Sequence, residues 1–188
     1  MLNEALQFLL DVLLQPFAAI LLLRFHLQWL RVPMRNPIGE FVMALTDFAV
    51  LPARRFIRSV FGLDGASLLL AILTETIYLA ATLWALDVTF SSFPLPGLLV
   101  WAVIKLLKMS IYLLMAAVFA QAILSWVNPY TPLAPVLATI TQRFLRPFRR
   151  VVPMLGHVDL SPLLLFIVCQ LMIILPIGML ENIVRGML

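Results

Sequence analysis

Four stretches of the sequence are almost entirely apolar, and each has about the 20 residues that an α-helix needs to cross the hydrocarbon core of a bilayer. A water-soluble chain with four such stretches would expose larger apolar patches than soluble monomers carry. The composition agrees, since 63% of the 188 residues are hydrophobic and 12% are charged. We therefore predict four transmembrane helices, near residues 9–30, 66–86, 107–127 and 161–181. Residues 96–107 either lie on the outer surface or extend the third helix.

Basic residues concentrate in two of the three connections between these stretches. Residues 31–65 contain five arginines and residues 128–160 contain four, whereas Asp87 is the one charged residue of the short connection 87–96. The positive-inside rule therefore predicts that both basic connections are cytoplasmic and that both termini lie on the other side, the periplasm in a bacterium. Lys105 and Lys108 are the exceptions, because they lie close to the predicted outer side.

Each basic connection contains an amphipathic segment. In the second, apolar residues recur at helical spacing opposite the arginines, at Val136, Ile140, Phe144 and Phe148. The first has a rougher apolar stripe between residues 41 and 56. Such segments are expected to lie in the head-group plane with their apolar side toward the acyl chains. Pro52 and Pro147 are expected to kink or break their helices.

The arginines of these segments have two interpretations. One is contact with anionic lipids or a protein partner, to which each residue contributes about 1 kcal/mol near an anionic surface. The other is a topology signal that binds nothing specific. Nucleic acid is not an expected partner, because the clusters lack interleaved aromatic residues and lie against a bilayer. The residues concerned are Arg54, Arg55, Arg58, Arg143, Arg146, Arg149 and Arg150.

The two basic connections share one sequence pattern. Asn-Pro is followed by Pro-x-Arg-Arg, then by eight residues and an aspartate, and then by an apolar stretch. The pattern residues are Asn36, Pro37, Pro52 and Asp64 in the first copy and Asn128, Pro129, Pro147 and Asp159 in the second. Because each unit has two spans, both copies enter the membrane in the same sense. The predicted fold is an all-α membrane protein of two parallel tandem repeats, residues 1–93 and 94–188, each with two transmembrane helices and a cytoplasmic amphipathic helix.

This pattern resembles the YggT family, also called YlmG-like proteins. The resemblance rests on Asn-Pro, on Pro-x-Arg-Arg, on the Gly-x-x-Asp-Leu-Ser element at residues 156–161, and on Arg24, Phe25 and Gln28 in the first span. Residues 31–34 depart from the family pattern. The resemblance implies a small multi-pass protein of the bacterial inner membrane, with relatives in chloroplasts. Members are loosely linked to osmotic-stress tolerance, to cell division and envelope shape, and in plastids to cytochrome maturation and nucleoid organisation. No catalytic residues are implied.

Glu75 falls near the middle of the second span, where a carboxylate is costly and usually functional. The repeat places Gln170 at the equivalent position. Two polar residues at equal depth suggest a central contact near the pseudo-two-fold axis, either a hydrogen-bonded structural clamp or part of a proton or ion route. Lys108, near the outer end of the third span, is expected to snorkel outward; a direct pair with Glu75 would need its full length.

The remaining polar residues have structural interpretations. Asp64 and Asp159 each precede a span and are expected to be helix N-caps. His26 and His157 are not repeat-equivalent, which disfavours a haem axial pair. Cys169 is the only cysteine, so disulfides and thiolate metal sites are excluded. No phosphate loop or catalytic triad is present, and we expect neither a cofactor nor enzymatic activity.

The sequence therefore favours a non-enzymatic membrane scaffold or assembly factor. Its basic segments would lie on the inner leaflet and recruit anionic lipid, other membrane proteins or further copies of the chain. The alternative is a small ion channel or transporter active in osmotic stress, centred on Glu75 and Gln170.

Overall fold

The computed structural model describes residues 2–57, 64–86, 95–128, 130–151 and 159–187. All regular secondary structure in these ranges is helical. The helices are α1 (Leu2–Trp29), α2 (Pro37–Ala53), α3 (Gly65–Ala85), α4 (Leu95–Val127), α5 (Ala134–Val151), α6 (Ser161–Met172) and α7 (Gly178–Met187), with a π-helical turn, Ile173–Ile177, joining α6 to α7. The predictions made for Arg58, Pro129, residues 87–94 and His157 lie outside the described residues.

Four helices are long and apolar enough to cross a membrane: α1, α3, α4 and the continuous α6–π–α7 helix. The prediction of an all-α membrane protein with four spans is confirmed. The third span begins at Leu95, so residues 96–107 extend it rather than forming a separate surface segment. Lys108, expected near the outer end of this span, lies instead 13 residues into α4.

The two halves of the chain have equivalent packing. In the first, α1 packs on α2 and α3, and α2 packs on α3; in the second, α4 packs on α5, α6 and α7, and α5 packs on α6. The halves meet through α4, which also contacts α1 and α3. The apolar core is continuous across this boundary, because Leu21 of α1, Ala71 of α3 and Leu106 of α4 share one buried cluster.

Helices α2 and α5 lie at the same end of the bundle. Val136 and Ile140 of α5 pack with Leu27 of α1 and Val42 of α2 in one buried cluster. Since this joins both basic connections at one end, the parallel arrangement predicted from the repeat is confirmed. Both helices bury one apolar face against the spans.

Local sequence explains where α2 begins. Asn36 caps it by accepting a hydrogen bond from the backbone N–H of Gly39 at 2.9 Å, and Pro37 occupies the first turn, where no N–H donor is required. Gly39 is needed because a Cβ at this position would collide with the backbone of Met34.

The two prolines of the Pro-x-Arg-Arg pattern have different effects on their helices. Pro52 lies in the last turn of α2, which ends one residue later at Ala53, as expected of a helix-terminating proline. In contrast, α5 continues through Pro147 to Val151. The expected break is therefore absent at Pro147.

Candidate functional site

An arginine–aspartate clamp closes the basic end of the first repeat. Asp64 directly precedes α3, and its side chain is 3% exposed. Its carboxylate accepts hydrogen bonds from the Nε and Nη2 of Arg54 at 3.2 and 2.6 Å, from the hydroxyl of Ser67 at 2.6 Å, and from the amide of Gln28 at 3.3 Å. One carboxylate thus joins the end of α2 to α1 and to the start of α3.

Arg24 extends the clamp into the bundle. This side chain is 2% exposed, and its Nη1 donates to the hydroxyl of Thr46 at 2.6 Å and to Asp47 at 2.7 Å. Its Nε lies 3.5 Å from Asp64. A buried guanidinium is tolerated only when it is paired and hydrogen-bonded. Arg24 therefore ties α1 to α2 and to the entry of α3 at once.

The charges of this clamp stabilise one another. Burial raises the pKa of Asp64, but hydrogen bonds from Arg54 and Ser67 and the charges of Arg54 and Arg24 outweigh burial, so the net pKa is lowered. The pKa of Arg54 is raised, chiefly by its hydrogen bond to Asp64. Both groups are therefore charged at neutral pH.

The second repeat has an equivalent clamp that is more exposed and has fewer hydrogen bonds. Arg149 Nε donates to Asp159 at 2.9 Å, and the side chains are 42% and 25% exposed. The other carboxylate oxygen accepts from the backbone N–H of Ser161 at 2.9 Å. Burial raises the pKa of Asp159, but the bonds from Ser161 and Arg149 outweigh it and lower the pKa overall.

Neither aspartate makes the N-cap predicted for it. The side chain of Asp64 makes no capping bond to the backbone of α3, because Arg54, Ser67 and Gln28 occupy it. The N-cap residue of α6 is Leu160 and not Asp159. Asp159 lies one residue earlier, where its carboxylate accepts the backbone N–H of Ser161 and binds Arg149.

An intramembrane polar cluster surrounds Glu75. This side chain is fully buried, and the amide of Gln15 donates to both of its oxygens at 3.2 Å. The Nζ of Lys105 lies 3.8 Å from Glu75 and 4.9 Å from the centre of the Tyr78 ring. The Tyr78 hydroxyl donates to Asp11 at 2.7 Å. These contacts link α1, α3 and α4 by polar groups inside the bundle.

Two partners predicted for this cluster lie elsewhere. Gln170 is on an exposed face of α6 and is not among the hydrogen-bond partners of Glu75, so the predicted contact between the repeat equivalents is wrong. Lys108 neither snorkels free nor reaches Glu75; its Nζ donates to Glu181 of α7 at 2.9 Å. Lys105, one turn earlier, holds the position facing Glu75.

The basic residues of α2 and α5 divide into engaged and available ones. Arg54 and Arg149 belong to the clamps. The guanidinium of Arg143 lies 5.4 Å from the centre of the Trp29 ring, a cation–π distance that joins the two repeats. Among the described arginines at 54–55 and in α5, those that are exposed and form no ion pair or ring contact with another described residue are Arg55, Arg146 and Arg150.

The described residues contain no group of three or more metal-ligating side chains. His26 bonds the carbonyl of Leu22 through Nδ1 at 2.7 Å, which is a structural contact one turn back along α1.

Sequence reasoning missed Gln15 and Lys105 as partners of Glu75. The sequence analysis named Arg24 only as part of the family resemblance. A signal for its role was available, because Thr46 and Thr141 are repeat equivalents, and in the structure they contact the equivalent residues Arg24 and Gln121.

Comparison with known proteins identifies relatives over most of the chain. It is 35% identical over 179 residues to an uncharacterized protein of Pseudomonas aeruginosa, covering 94% of this chain and 90% of the relative. It is 33% identical over 163 residues to the uncharacterized protein YggT of Escherichia coli, covering 86% and 84%. No solved structure matches the chain. The CCB3/YggT family model matches residues 3–85 and 100–180, in agreement with the two repeats. This four-span, two-repeat chain therefore belongs to the CCB3/YggT family.

Proposed function

We propose that this protein is a non-enzymatic scaffold or assembly factor of the bacterial inner membrane, with α2 and α5 at the cytoplasmic surface. The observation that carries the proposal is the repeated clamp. Arg54–Asp64 and Arg149–Asp159 fasten the end of each basic helix to the start of the following span. Both helices are thereby fixed at the head-group level, where they present a charged face to lipid or partner.

The outward surface of these helices suits anionic lipid. Arg55, Arg146 and Arg150 are exposed and not engaged by the clamps, and each attracts an anionic surface by about 1 kcal/mol. Phe56, the neighbour of Arg55 in the sequence, is 89% exposed. Basic residues beside exposed aromatic rings are typical of segments that lie in the interface plane. Other membrane proteins or further copies of the chain are the proposed partners, in osmotic-stress tolerance or cell division.

The test is complementation of a bacterial strain that lacks its own family member, scored by growth after osmotic upshift and by cell shape. The variant Arg146→Gln/Arg150→Gln removes two exposed charges of α5 and is expected to lose complementation. The matched control Arg146→Lys/Arg150→Lys keeps the charge and the topology signal and is expected to complement. Full complementation by the glutamine variant, at wild-type membrane levels, contradicts the proposal.

The second candidate is ion or proton conduction centred on Glu75. The observation that favours it is the polar cluster, because Gln15, Tyr78 and Lys105 gather more polarity around Glu75 than one residue per span. The test is flux in liposomes under osmotic and pH gradients, comparing wild type with Glu75→Gln. Flux that disappears in the variant supports conduction. Folded protein with no flux above empty liposomes rejects it.

A further inference from the structure

A groove of about 510 Å³ opens between α4, α5 and α6 at the basic end of the second repeat. Its polar wall is formed by Gln121, Ser125, Arg149 and Asp159, and its apolar wall includes Val118 and Phe166. Because α6 begins at Ser161, beside this wall, the groove lies where a transmembrane helix enters the bilayer. Lipid head groups lie at the point where a helix enters the bilayer, whichever way the chain is oriented in the membrane.

The equivalent place in the first repeat is filled by the chain itself. The sequences of α1 and α4 correspond at a spacing of 97, which pairs Trp29 with Trp126, and those of the following helices at a spacing of 95, which pairs Asp64 with Asp159. Three residues beside Asp64 are thereby replaced: Arg24 by Gln121, Gln28 by Ser125 and Ser67 by Pro162. All three replacements line the groove. The groove therefore includes the space that Gln121 and Ser125, shorter than Arg24 and Gln28, leave near Asp159.

The replacements also remove hydrogen-bond donors. Asp64 receives side-chain hydrogen bonds from Arg54, Ser67 and Gln28, and has the Nε of Arg24 at 3.5 Å. Within the described ranges, the hydrogen-bond donors at Asp159 are Arg149 and Ser161. A partly buried carboxylate that has lost neighbouring donors favours a ligand that brings N–H groups and positive charge.

Gln121 is held on the same wall by α5. The Thr141 hydroxyl, which also lies 2.8 Å from the carbonyl of Leu137, contacts the amide oxygen of Gln121. In the first repeat, the equivalent Thr46 contacts Arg24. Gln121 therefore takes the place of Arg24 on its threonine without bringing a positive charge.

We propose that this groove binds a phospholipid with a primary-amine head group, of the phosphatidylethanolamine class, whose ammonium takes the place that the Arg24 guanidinium holds in the first repeat. The ammonium donates to Asp159. The phosphate binds Arg149, and the acyl chains lie along Val118 and Phe166. This assignment is independent of the scaffold role.

A zwitterionic lipid fits better than a partner's basic side chain. When a cation pairs with Asp159, the adjacent Arg149 loses its carboxylate partner and needs another anion. A zwitterionic phospholipid supplies both charges in one head group. The apolar wall beside the charges likewise suits a molecule whose head group continues into acyl chains. An arginine or lysine side chain supplies the cation alone.

The first test uses the unaltered full chain in nanodiscs that contain ethanolamine, N-methyl, N,N-dimethyl or choline head groups on identical acyl chains, with bound lipid counted by native mass spectrometry. Each methyl group removes an N–H donor. Retention is expected to fall stepwise, by about tenfold from ethanolamine to choline, the effect of losing one charged hydrogen bond. Equal retention of the four lipids overturns the proposal.

The second test fills the groove from within. Gln121→Arg restores the residue of the first repeat and is expected to lower ethanolamine-lipid retention about tenfold while the protein stays folded. Thr139→Arg adds the same charge on the exposed side of α5, outside the groove, and should leave retention unchanged. Undiminished retention in folded Gln121→Arg overturns the proposal. So does a wild type that selects no lipid but is stabilised by arginine amide, which would identify a protein side chain as the occupant.

Discussion

Asp64 is the residue on which the charge arrangement of the first repeat depends. It contacts Arg54 and Ser67 directly, and it lies within 3.5 Å of the buried Arg24. Removing one member of a buried ion pair is costly. Without Asp64, the buried Arg24 keeps Asp47 as its carboxylate partner and Arg54 loses its ion pair. The equivalent pair in the second repeat is more exposed, so solvent compensates for a lost partner there.

The substitution Asp64→Asn should therefore lower the free energy of unfolding by about 3–5 kcal/mol. Asp159→Asn is the matched control, and it should cost about 1 kcal/mol or less, since its pair is exposed. Equilibrium unfolding in mixed detergent micelles measures both values. Equal losses in the two variants would show that the depth of the clamp does not determine its contribution.

The clamp also predicts a loss of stability in acid. The pKa of Asp64 in the folded protein lies below its ordinary value of 3.8, so its contribution is complete above that value and is lost as the pH falls through the lowered pKa. Unfolding free energy should therefore fall on acidification to about pH 3, and fall less steeply in Asp64→Asn. Measured at several pH values in the same micelles, parallel curves for wild type and variant would contradict this assignment.

Single residues were the least predictable level. The sequence identified Glu75 as a costly buried charge, and its burial is as expected. Its partners Gln15 and Lys105 lie 60 and 30 positions away in the sequence, on other helices, so only the rotation of α1 and α4 brings them together. Periodicity within an apolar helix does not determine that rotation, because every face is apolar.

At the scale of elements, an ion pair joins α4 to α7 in addition to their shared apolar cluster. Lys108 and Glu181 are 30% and 11% exposed, and the π turn that contains Pro176 immediately precedes α7. Proline cannot donate the backbone bond of a regular helix, and its ring crowds the preceding turn, which a π turn relieves. The turn thereby sets which face of α7 meets α4.

Charge reversal tests that pairing. Lys108→Glu and Glu181→Lys should each lower the unfolding free energy by about 2–3 kcal/mol, between the limits for exposed and buried pairs. The double variant Lys108→Glu/Glu181→Lys restores opposite charges and should recover most of the loss. Because unfolding of all four proteins forms a double-mutant cycle, additive losses would show that the two side chains do not interact.

Helices as elements were predictable because lipid demands long apolar runs, and α1, α3 and the α6–α7 span follow that rule. The start of α4 was not predictable, since residues 96–107 are as apolar as a surface-lying segment would be. The π turn also has no distinct sequence signal beyond Pro176. In α5, the apolar spacing correctly indicated the buried face that contains Val136 and Ile140.

At the scale of the molecule, two similar repeats make unlike sites. Glu75 is buried among α1, α3 and α4, whereas its equivalent Gln170 is exposed. The reason is that α4 packs on helices of both repeats. Helix α3 therefore has a neighbour from the other repeat, whereas the contacts described for α6 are all within its own repeat. Sequence symmetry therefore predicted the two-unit fold, and could not predict which copy would carry the buried polar cluster and which the groove.

The charge distribution predicts one orientation for the whole protein, because the arginine-bearing helices share one end of the bundle. With the single Cys169 replaced by alanine, Tyr130→Cys should be protected in intact cells from a membrane-impermeant maleimide and react once the cells are permeabilised. Gly186→Cys, near the C-terminus, has free space around its Cβ and should react in intact cells. The reversed pattern would place the arginines outside, and with them the clamps and the groove. That result would contradict the cytoplasmic scaffold and leave the amine-lipid assignment to be judged on lipid retention alone.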